Sequence, residues 1–101
     1  MHLTDKEIER ALIFSIAELA RKRKEKKIKL NYPEVIALLC DEIMEMARSG
    51  KTLNEVVEEA PHILSKDDVM EGVPDLLETL QVEAIFTDGT KLVVIRNPIE
   101  T

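Results

Sequence analysis

The sequence is poor in the residues that build most metal and nucleophile sites. It has one cysteine, two histidines and three glycines, and tryptophan is absent. The single cysteine, Cys40, cannot form an internal disulfide, which is typical of a protein from a reducing compartment. The two histidines, His2 and His62, lie far apart in sequence, so the paired motifs of zinc sites are missing. With so few glycines, no glycine-rich loop can hold a phosphate.

Long apolar runs are also missing. The longest apolar stretches, such as residues 11–17, fall well short of the roughly 18–20 residues that a membrane-spanning helix needs. The first residues show no basic segment followed by an apolar one, so we expect no secretory signal and a cytoplasmic location. The net charge of -6 disfavours general binding to nucleic acids or anionic membranes.

Length and composition indicate one small globular domain. Of the 101 residues, 45% are hydrophobic and 34% are charged. A chain of this length forms one modest core rather than two, so we expect residues 1–101 to be a single domain.

Capping boxes predict where the helices begin. Thr4, Asn31 and Thr52 each stand three residues before a glutamate, so side chain and backbone can exchange hydrogen bonds there. We expect two long helices, one running from Thr4 into the basic segment that follows and one from Asn31 to the Ser-Gly pair at 49–50. A short helix should follow Thr52, and Ser65 predicts a second short one that ends before Pro74.

Apolar spacing predicts which helix faces are buried. In the first long helix, apolar residues recur at intervals of four, four and three, and we expect their broad face to lie in the core. The same reasoning gives the second helix a buried face. The predicted face of the first helix consists of Ile8, Leu12, Ile16 and Leu19, and Ile13, Ala17 and Ala20 make it broader. The predicted face of the second helix consists of Ile36, Leu39, Cys40, Ile43 and Ala47.

Near Leu80, apolar residues begin to alternate with polar ones instead of recurring every three or four residues. Residues 80–86 alternate between apolar and polar, a tight turn at 87–90 follows, and residues 91–95 return as a second strand. The expected fold class is α+β, with two long and two short helices and a C-terminal two-stranded antiparallel hairpin. An isolated hairpin is marginally stable, so this one must pack on the helices or join another chain, and Ile85 on the polar side hints at the second.

The reactive side chains of the sequence favour structural roles. Cys40 lies on an apolar helix face, which predicts an inert thiol with a raised pKa. His62 is expected to be solvated, although metal binding stays open as the lesser alternative. Adjacent carboxylates are expected on solvated faces, because neighbours on a helix point in different directions. These pairs are Asp41 with Glu42, Glu58 with Glu59, and Asp67 with Asp68.

The stretch from Arg21 to Lys27 has six cations in seven residues. Positive charge at the carboxyl end of a helix offsets the helix dipole, so a solvated helix end or a contact with an acidic partner is expected. Nucleic-acid binding is the alternative function. The three aromatic residues are Phe14, Tyr32 and Phe86. None of them lies within this stretch, so it offers no aromatic side chains on which bases could stack.

Six blocks of the sequence stand out: Met-His-Leu-Thr at 1–4, Lys-Leu-Asn-Tyr-Pro-Glu at 29–34, Val-Met-Glu-Gly-Val-Pro at 69–74, Gln-Val-Glu-Ala at 81–84, Phe-Thr-Asp-Gly-Thr-Lys-Leu-Val at 86–93 and Asn-Pro-Ile at 97–99. Together, these blocks resemble the gamma subunit of bacterial-type nickel urease. Their order and spacing are similar to those of the family from the first residue to about Ile99. The sequence departs from the family where Gly is usual, at Lys27 before the second block and at Met46.

The resemblance implies a non-catalytic structural subunit of urease. In that family, alpha, beta and gamma subunits form a trimer of such units that hydrolyses urea to ammonia and carbamate. Two nickel ions, held by four histidines, an aspartate and a carbamylated lysine, belong to the alpha subunit. This chain should therefore hold no catalytic residue, metal or cofactor and be inactive alone. We expect its subunit contacts at Asn31, Tyr32, Pro33, Leu92, Val93, Val94 and Ile95.

Overall fold

The computed structural model describes residues 2–100 and confirms the α+β class. The helix at Asp5–Glu25 (α1) packs along the helix at Tyr32–Arg48 (α2), and α2 packs on the strand at Thr79–Phe86 (β1), so α2 is the central element. Among residues 2–100, no helix has both the length and the apolar character needed to cross a membrane. The elements are α1 (Asp5–Glu25), α2 (Tyr32–Arg48), α3 (Leu53–Glu59), two short 3-10 helices (Ala60–His62 and Lys66–Asp68), α4 (Val73–Leu76), β1 (Thr79–Phe86) and β2 (Gly89–Arg96).

The three predicted capping boxes are confirmed. At the start of α1, the Thr4 hydroxyl accepts a hydrogen bond from the Glu7 amide at 3.2 Å, and the Glu7 carboxylate accepts from the Thr4 amide at 2.9 Å. The starts of α2 and α3 repeat this exchange. The prediction at Ser65 is only partly right. Its capping box closes a single 3-10 turn, and the fourth α-helix begins later, after Gly72.

The C-terminal hairpin forms with the predicted alternation. Its strands pair in register from Thr79 opposite Arg96 to Phe86 opposite Gly89. The inner face of β1 is buried in the same hydrophobic cluster as α2 and α3, while the polar residues between are exposed. The buried residues of β1 are Leu80, Val82, Ala84 and Phe86.

The predicted burial of the broad apolar face of α1 is only partly right within this chain. The four residues at its centre, Ile8, Leu12, Ile16 and Leu19, are between 42% and 59% exposed. The helix faces α2 through Ala17 and Ala20, two of the residues predicted to widen that face, and both are fully buried. Small side chains let two helices approach closely, and the larger side chains then lie outside the contact.

A buried carboxylate explains why α1 docks by this narrower face. Asp41 on α2 was expected on a solvated face, yet it is 2% exposed and accepts hydrogen bonds from Arg10, at 2.7 Å, and from Arg21. Arg10 also reaches Glu45, and Arg21 reaches Glu42. Because a buried carboxylate requires positive partners, both arginines of α1 must turn towards α2.

The loop after α1 contains a lysine in a left-handed conformation. Lys27 has φ of 63°. The Ile28 amide donates to the Arg23 carbonyl at 2.9 Å, and the Lys27 amide donates to the Lys24 carbonyl at 3.0 Å. These two bonds form a Schellman motif, which normally has glycine at this position. The loop therefore adopts the geometry of a Schellman motif with lysine instead of glycine at the position of positive φ.

Replacing Asp41 with Asn should destabilise the fold by about 2 kcal/mol, because both arginines lose a charged acceptor. Urea unfolding at pH 7 measures the change. Glu45→Gln is the control, since Glu45 is 63% exposed and should contribute less than about 1 kcal/mol. Equal effects of the two substitutions would contradict the special role of Asp41.

The effect of Asp41 should depend on pH. Burial by itself raises the pKa of Asp41, but the hydrogen bonds and positive charges of Arg21 and Arg10 outweigh it and lower the pKa. A lowered folded-state pKa stabilises the protein above the unfolded-state pKa, and this stabilisation is lost as the pH falls through the folded-state value. The difference between wild type and Asp41→Asn should thus shrink below about pH 4.

Replacing Lys27 with Gly should stabilise the chain by about 0.5–1 kcal/mol, because glycine adopts positive φ without steric cost. The same substitution at Lys24, inside the last turn of α1, should destabilise by a similar amount. Thermal unfolding of both variants would compare them. A loss of stability in Lys27→Gly would contradict the expectation that the positive φ of Lys27 is sterically unfavourable.

Candidate partner-binding surfaces

The outer face of the hairpin is apolar although it faces solvent. Ile85 is 69% exposed, Leu92 is 56% exposed and Val94 is 38% exposed. The strand register places these side chains on one face, with Gln81 opposite Val94 and Glu83 opposite Leu92. Ile85 was not among the predicted contact residues, although its apolar side chain on the polar side of β1 was the signal.

The inner face of the same hairpin is unavailable to partners. Val93 is fully buried and Ile95 is 1% exposed, because both side chains lie in the hydrophobic cluster of this chain. Alternate residues of a strand point to opposite faces. Of the four contact residues predicted on β2, therefore, only Leu92 and Val94 present their side chains to the surface.

The corner before α2 has one structural residue and two exposed ones. Asn31 is the N-cap of α2, and its side chain accepts from the Glu34 amide at 3.0 Å. Glu34 is 5% exposed and forms an ion pair with Arg23 of α1. Tyr32 and Pro33 are exposed, Tyr32 by 39%. The Asn31 cap and the Glu34 ion pair thus hold the corner, and Tyr32 and Pro33 face solvent.

A groove of about 700 Å³ extends from the hairpin to the start of α1 and the end of α2. Ile13, Met44 and Ile85 are its larger apolar lining residues, and charges of both signs surround them. Met44 and Met46 also pack against the core, whereas Met70 is 46% exposed. Met44, which also lines the groove, and Met46 are therefore packing residues of the core.

The reactive groups do not converge within the described part of the chain. His62 is exposed, with its Nδ1 atom 3.3 Å from a Glu100 carboxylate oxygen. Cys40 is buried, and burial raises the pKa of its thiol to about 11 despite the positive charge of Arg10. Between residues 2 and 100, no three His, Cys, Asp or Glu side chains are grouped so that they could hold a metal ion.

The basic stretch divides into paired and exposed cations. Arg21 forms ion pairs with Glu18, Asp41 and Glu42, and Arg23 pairs with Glu34. The exposed cations are Lys22, Lys24, Lys26 and Lys27. Arginine is the side chain best suited to bind phosphates, and both arginines of this stretch instead form ion pairs with carboxylates of this chain.

Comparison with known proteins identifies the family. A family model described as "Urease, gamma subunit" matches residues 1–99. Over 100 residues the chain is 50% identical to urease subunit gamma of Photorhabdus laumondii subsp. laumondii, 48% to that of Yersinia enterocolitica and 47% to that of Laribacter hongkongensis. Each alignment covers 99% of this chain and 100% of the relative. The chain belongs to the urease gamma-subunit family.

Family membership confirms the resemblance that the sequence blocks indicated. The chain is a structural subunit of urease, which is a hydrolase assembled from several subunits. Exposed surfaces are therefore the features of this chain to consider as candidate functional sites. In this urease gamma-family chain, the exposed apolar face of the hairpin and the corner at Tyr32 are the candidates.

The Cys40 thiol should react very slowly with Ellman's reagent in the folded chain at pH 8. Its raised pKa leaves little thiolate, and the surrounding side chains restrict access. Absorbance at the wavelength of the released thiolate measures the rate, and denaturant should expose one thiol per chain. Fast reaction of the folded protein would show that Cys40 is accessible and more acidic than its burial implies.

Proposed function

We propose that this urease gamma-family chain supports a catalytic centre that lies in another subunit. It binds alpha and beta subunits in a trimer of alpha-beta-gamma units in the cytoplasm. The alpha subunit holds two nickel ions and hydrolyses urea to ammonia and carbamate. Residues 1–101 form a single domain that is inactive alone, and neither nucleic acid nor a membrane is its partner.

The apolar outer face of the hairpin is the observation that favours subunit binding most. In a chain with 34% charged residues, Ile85, Leu92 and Val94 form an exposed apolar group on one side of a two-stranded sheet. Contact of such a group with water is unfavourable, and burying it in an interface contributes about 25 cal/mol of favourable free energy for each square ångström of apolar surface. Obligate subunit interfaces use this source of affinity.

The corner at residues 31–33 provides a second contact in this proposal. Tyr32 presents an aromatic ring with a hydroxyl group, a combination that is enriched at protein interfaces. Asn31 and Glu34 fix the position of that ring, because they cap α2 and tie it to α1 through Arg23. Asn31 thus acts by positioning, whereas Tyr32 and Pro33 make the contact.

Binding explains how a subunit without reactive groups can serve catalysis. A partner that binds only the folded alpha subunit shifts its folding equilibrium towards the native state by mass action. The stabilisation grows with the affinity and the concentration of the gamma-family chain. Loss of the interface should therefore lower both the yield of the complex and its heat resistance.

Val94→Asp should release the chain from the urease complex. A carboxylate placed in an apolar interface costs roughly 3 kcal/mol, which weakens binding by about a hundredfold. Co-purification with a tagged alpha subunit measures the release. Val57→Asp on α3 is the matched control, since Val57 is 39% exposed, lies outside both candidate surfaces and introduces the same charge.

The results of this experiment separate the proposal from its rivals. Loss of Val94→Asp with retention of Val57→Asp supports the hairpin interface. Equal retention of both variants would contradict it. Ammonia release from urea by the isolated chain, supplied with nickel, would instead show that the chain has a catalytic centre of its own.

A further inference from the structure

The end of α1 and the loop that follows it form a strongly basic region on an acidic molecule. Residues 21–29 contain seven of the 14 cations of the chain and one anion, which gives this segment a formal charge of +6. The whole chain carries -6, so the other residues together carry -12. The positive charge is therefore concentrated in one place rather than spread over the surface.

The lysines of this region are exposed and have no carboxylate partner. Arg21 and Arg23 form ion pairs with carboxylates of this chain. Among residues 2–100, by contrast, no carboxylate pairs with a lysine of the region. The Nζ atom of Lys29 donates a hydrogen bond to the backbone carbonyl of Asp67. The exposed lysines are Lys22, Lys24, Lys26, Lys27 and Lys29.

The helix dipole accounts for only part of this positive charge. Lys22 and Lys24 lie in the last turn of α1, where cations offset the negative end of the dipole. Lys26, Lys27 and Lys29 follow the helix, and Lys27 has a positive φ that glycine would adopt at lower cost. The sequence thus places cations where mutual repulsion and backbone conformation are both unfavourable, which indicates a role in binding rather than in folding.

A groove of about 740 Å³ opens beside these lysines. Lys24, Lys27 and Lys29 line it. Its apolar lining includes Ile28, which is 48% exposed, and Ile63, which is half-buried. An apolar centre with a charged rim is the usual arrangement of a protein-binding site.

The carboxylates of the groove do not cancel its positive charge. Glu42 accepts a hydrogen bond from Arg21, and Asp68 closes the capping box of a 3-10 turn. Glu25 and Asp67 also line the groove and are exposed. The exposed lysines of the region therefore outnumber the exposed carboxylates beside them.

We propose that this basic surface, formed by the five lysines and Ile28, binds an acidic segment of a partner protein. The carboxylates of the segment pair with the lysines, and an apolar side chain between those carboxylates enters the groove against Ile28 and Ile63. Complementary charge accelerates the encounter, and the apolar contact makes it specific. Nucleic acid fits less well, because Glu25 and Asp67 would repel a continuous row of phosphates.

The basic surface is separate from the apolar face of the hairpin. Lys6 and Ile13, from the first half of α1, line the groove at the hairpin, whereas Lys24, from its last turn, lines the groove described here. A helix of 21 residues is about 30 Å long. The inference therefore goes beyond the proposed function and does not rest on the hairpin contact.

Fluorescence anisotropy with the labelled peptide Glu-Glu-Leu-Glu-Glu-Leu-Glu-Glu tests the proposal on the purified full chain. We expect binding that weakens as salt is added, because salt screens exposed charges. Replacing both Lys24 and Lys27 with Gln should weaken binding by about tenfold. The matched control replaces Lys6 and Lys51 with Gln, which removes the same charge from outside the basic surface. Circular dichroism establishes that each variant is folded.

Ile28→Ser tests the apolar contact separately from charge. It should weaken binding of the leucine-containing peptide by about tenfold. Binding of a second peptide, with Ser in place of each Leu, should stay the same. This comparison distinguishes insertion into the groove from simple attraction between opposite charges.

Three results would overturn the proposal: no binding of the leucine-containing peptide, equal affinities of the two double variants, or an unchanged affinity of Ile28→Ser. Tighter binding of a labelled oligouridylate than of the peptide would also overturn it and assign the surface to nucleic acid. None of these results affects the co-purification of Val94→Asp with the alpha subunit, so the proposed function is tested independently.

Discussion

The contact between α1 and α2 depends on one buried carboxylate. Asp41 lies on the central helix, and its negative charge is stable there only because Arg10 and Arg21 reach it from α1. Two arginines about three turns apart fix both the rotation and the position of α1 along its axis. Once they face α2, the small residues between them face it too, and the large apolar residues must lie on the solvent side.

Local features of the fold were predictable from sequence, whereas this rotation was not. A capping box involves residues only three apart, so Thr4 and Asn31 marked helix starts that the structure confirms. The burial of the α1 stripe, by contrast, was inferred from its spacing alone. Spacing identifies an apolar face but not what covers it, and a single aspartate on α2 decided the matter. Nothing in the sequence distinguished Asp41 from its neighbour Glu42, which is only half-buried.

In the hairpin, too, the sequence pattern predicted some features, whereas others depended on how the two strands pair. Alternation correctly separated the inner residues of β1 from the outer ones, because the period of a strand is fixed by its geometry. In β2 the apolar residues are consecutive, so the pattern did not indicate which of them face outward. The register with β1 answers this question, since it places Val93 inside and Leu92 and Val94 outside.

The family assignment and the exposed surfaces support each other on physical grounds. A chain of 101 residues has little surface to spare, yet its longest helix and its hairpin both present apolar faces outward. A protein that worked alone would gain stability and solubility from polar residues at these positions. Their apolar character is explained if both faces are covered in the assembled state. The structure of this urease subunit is thus arranged around α2, whose charged and apolar contacts hold these two exposed faces in place.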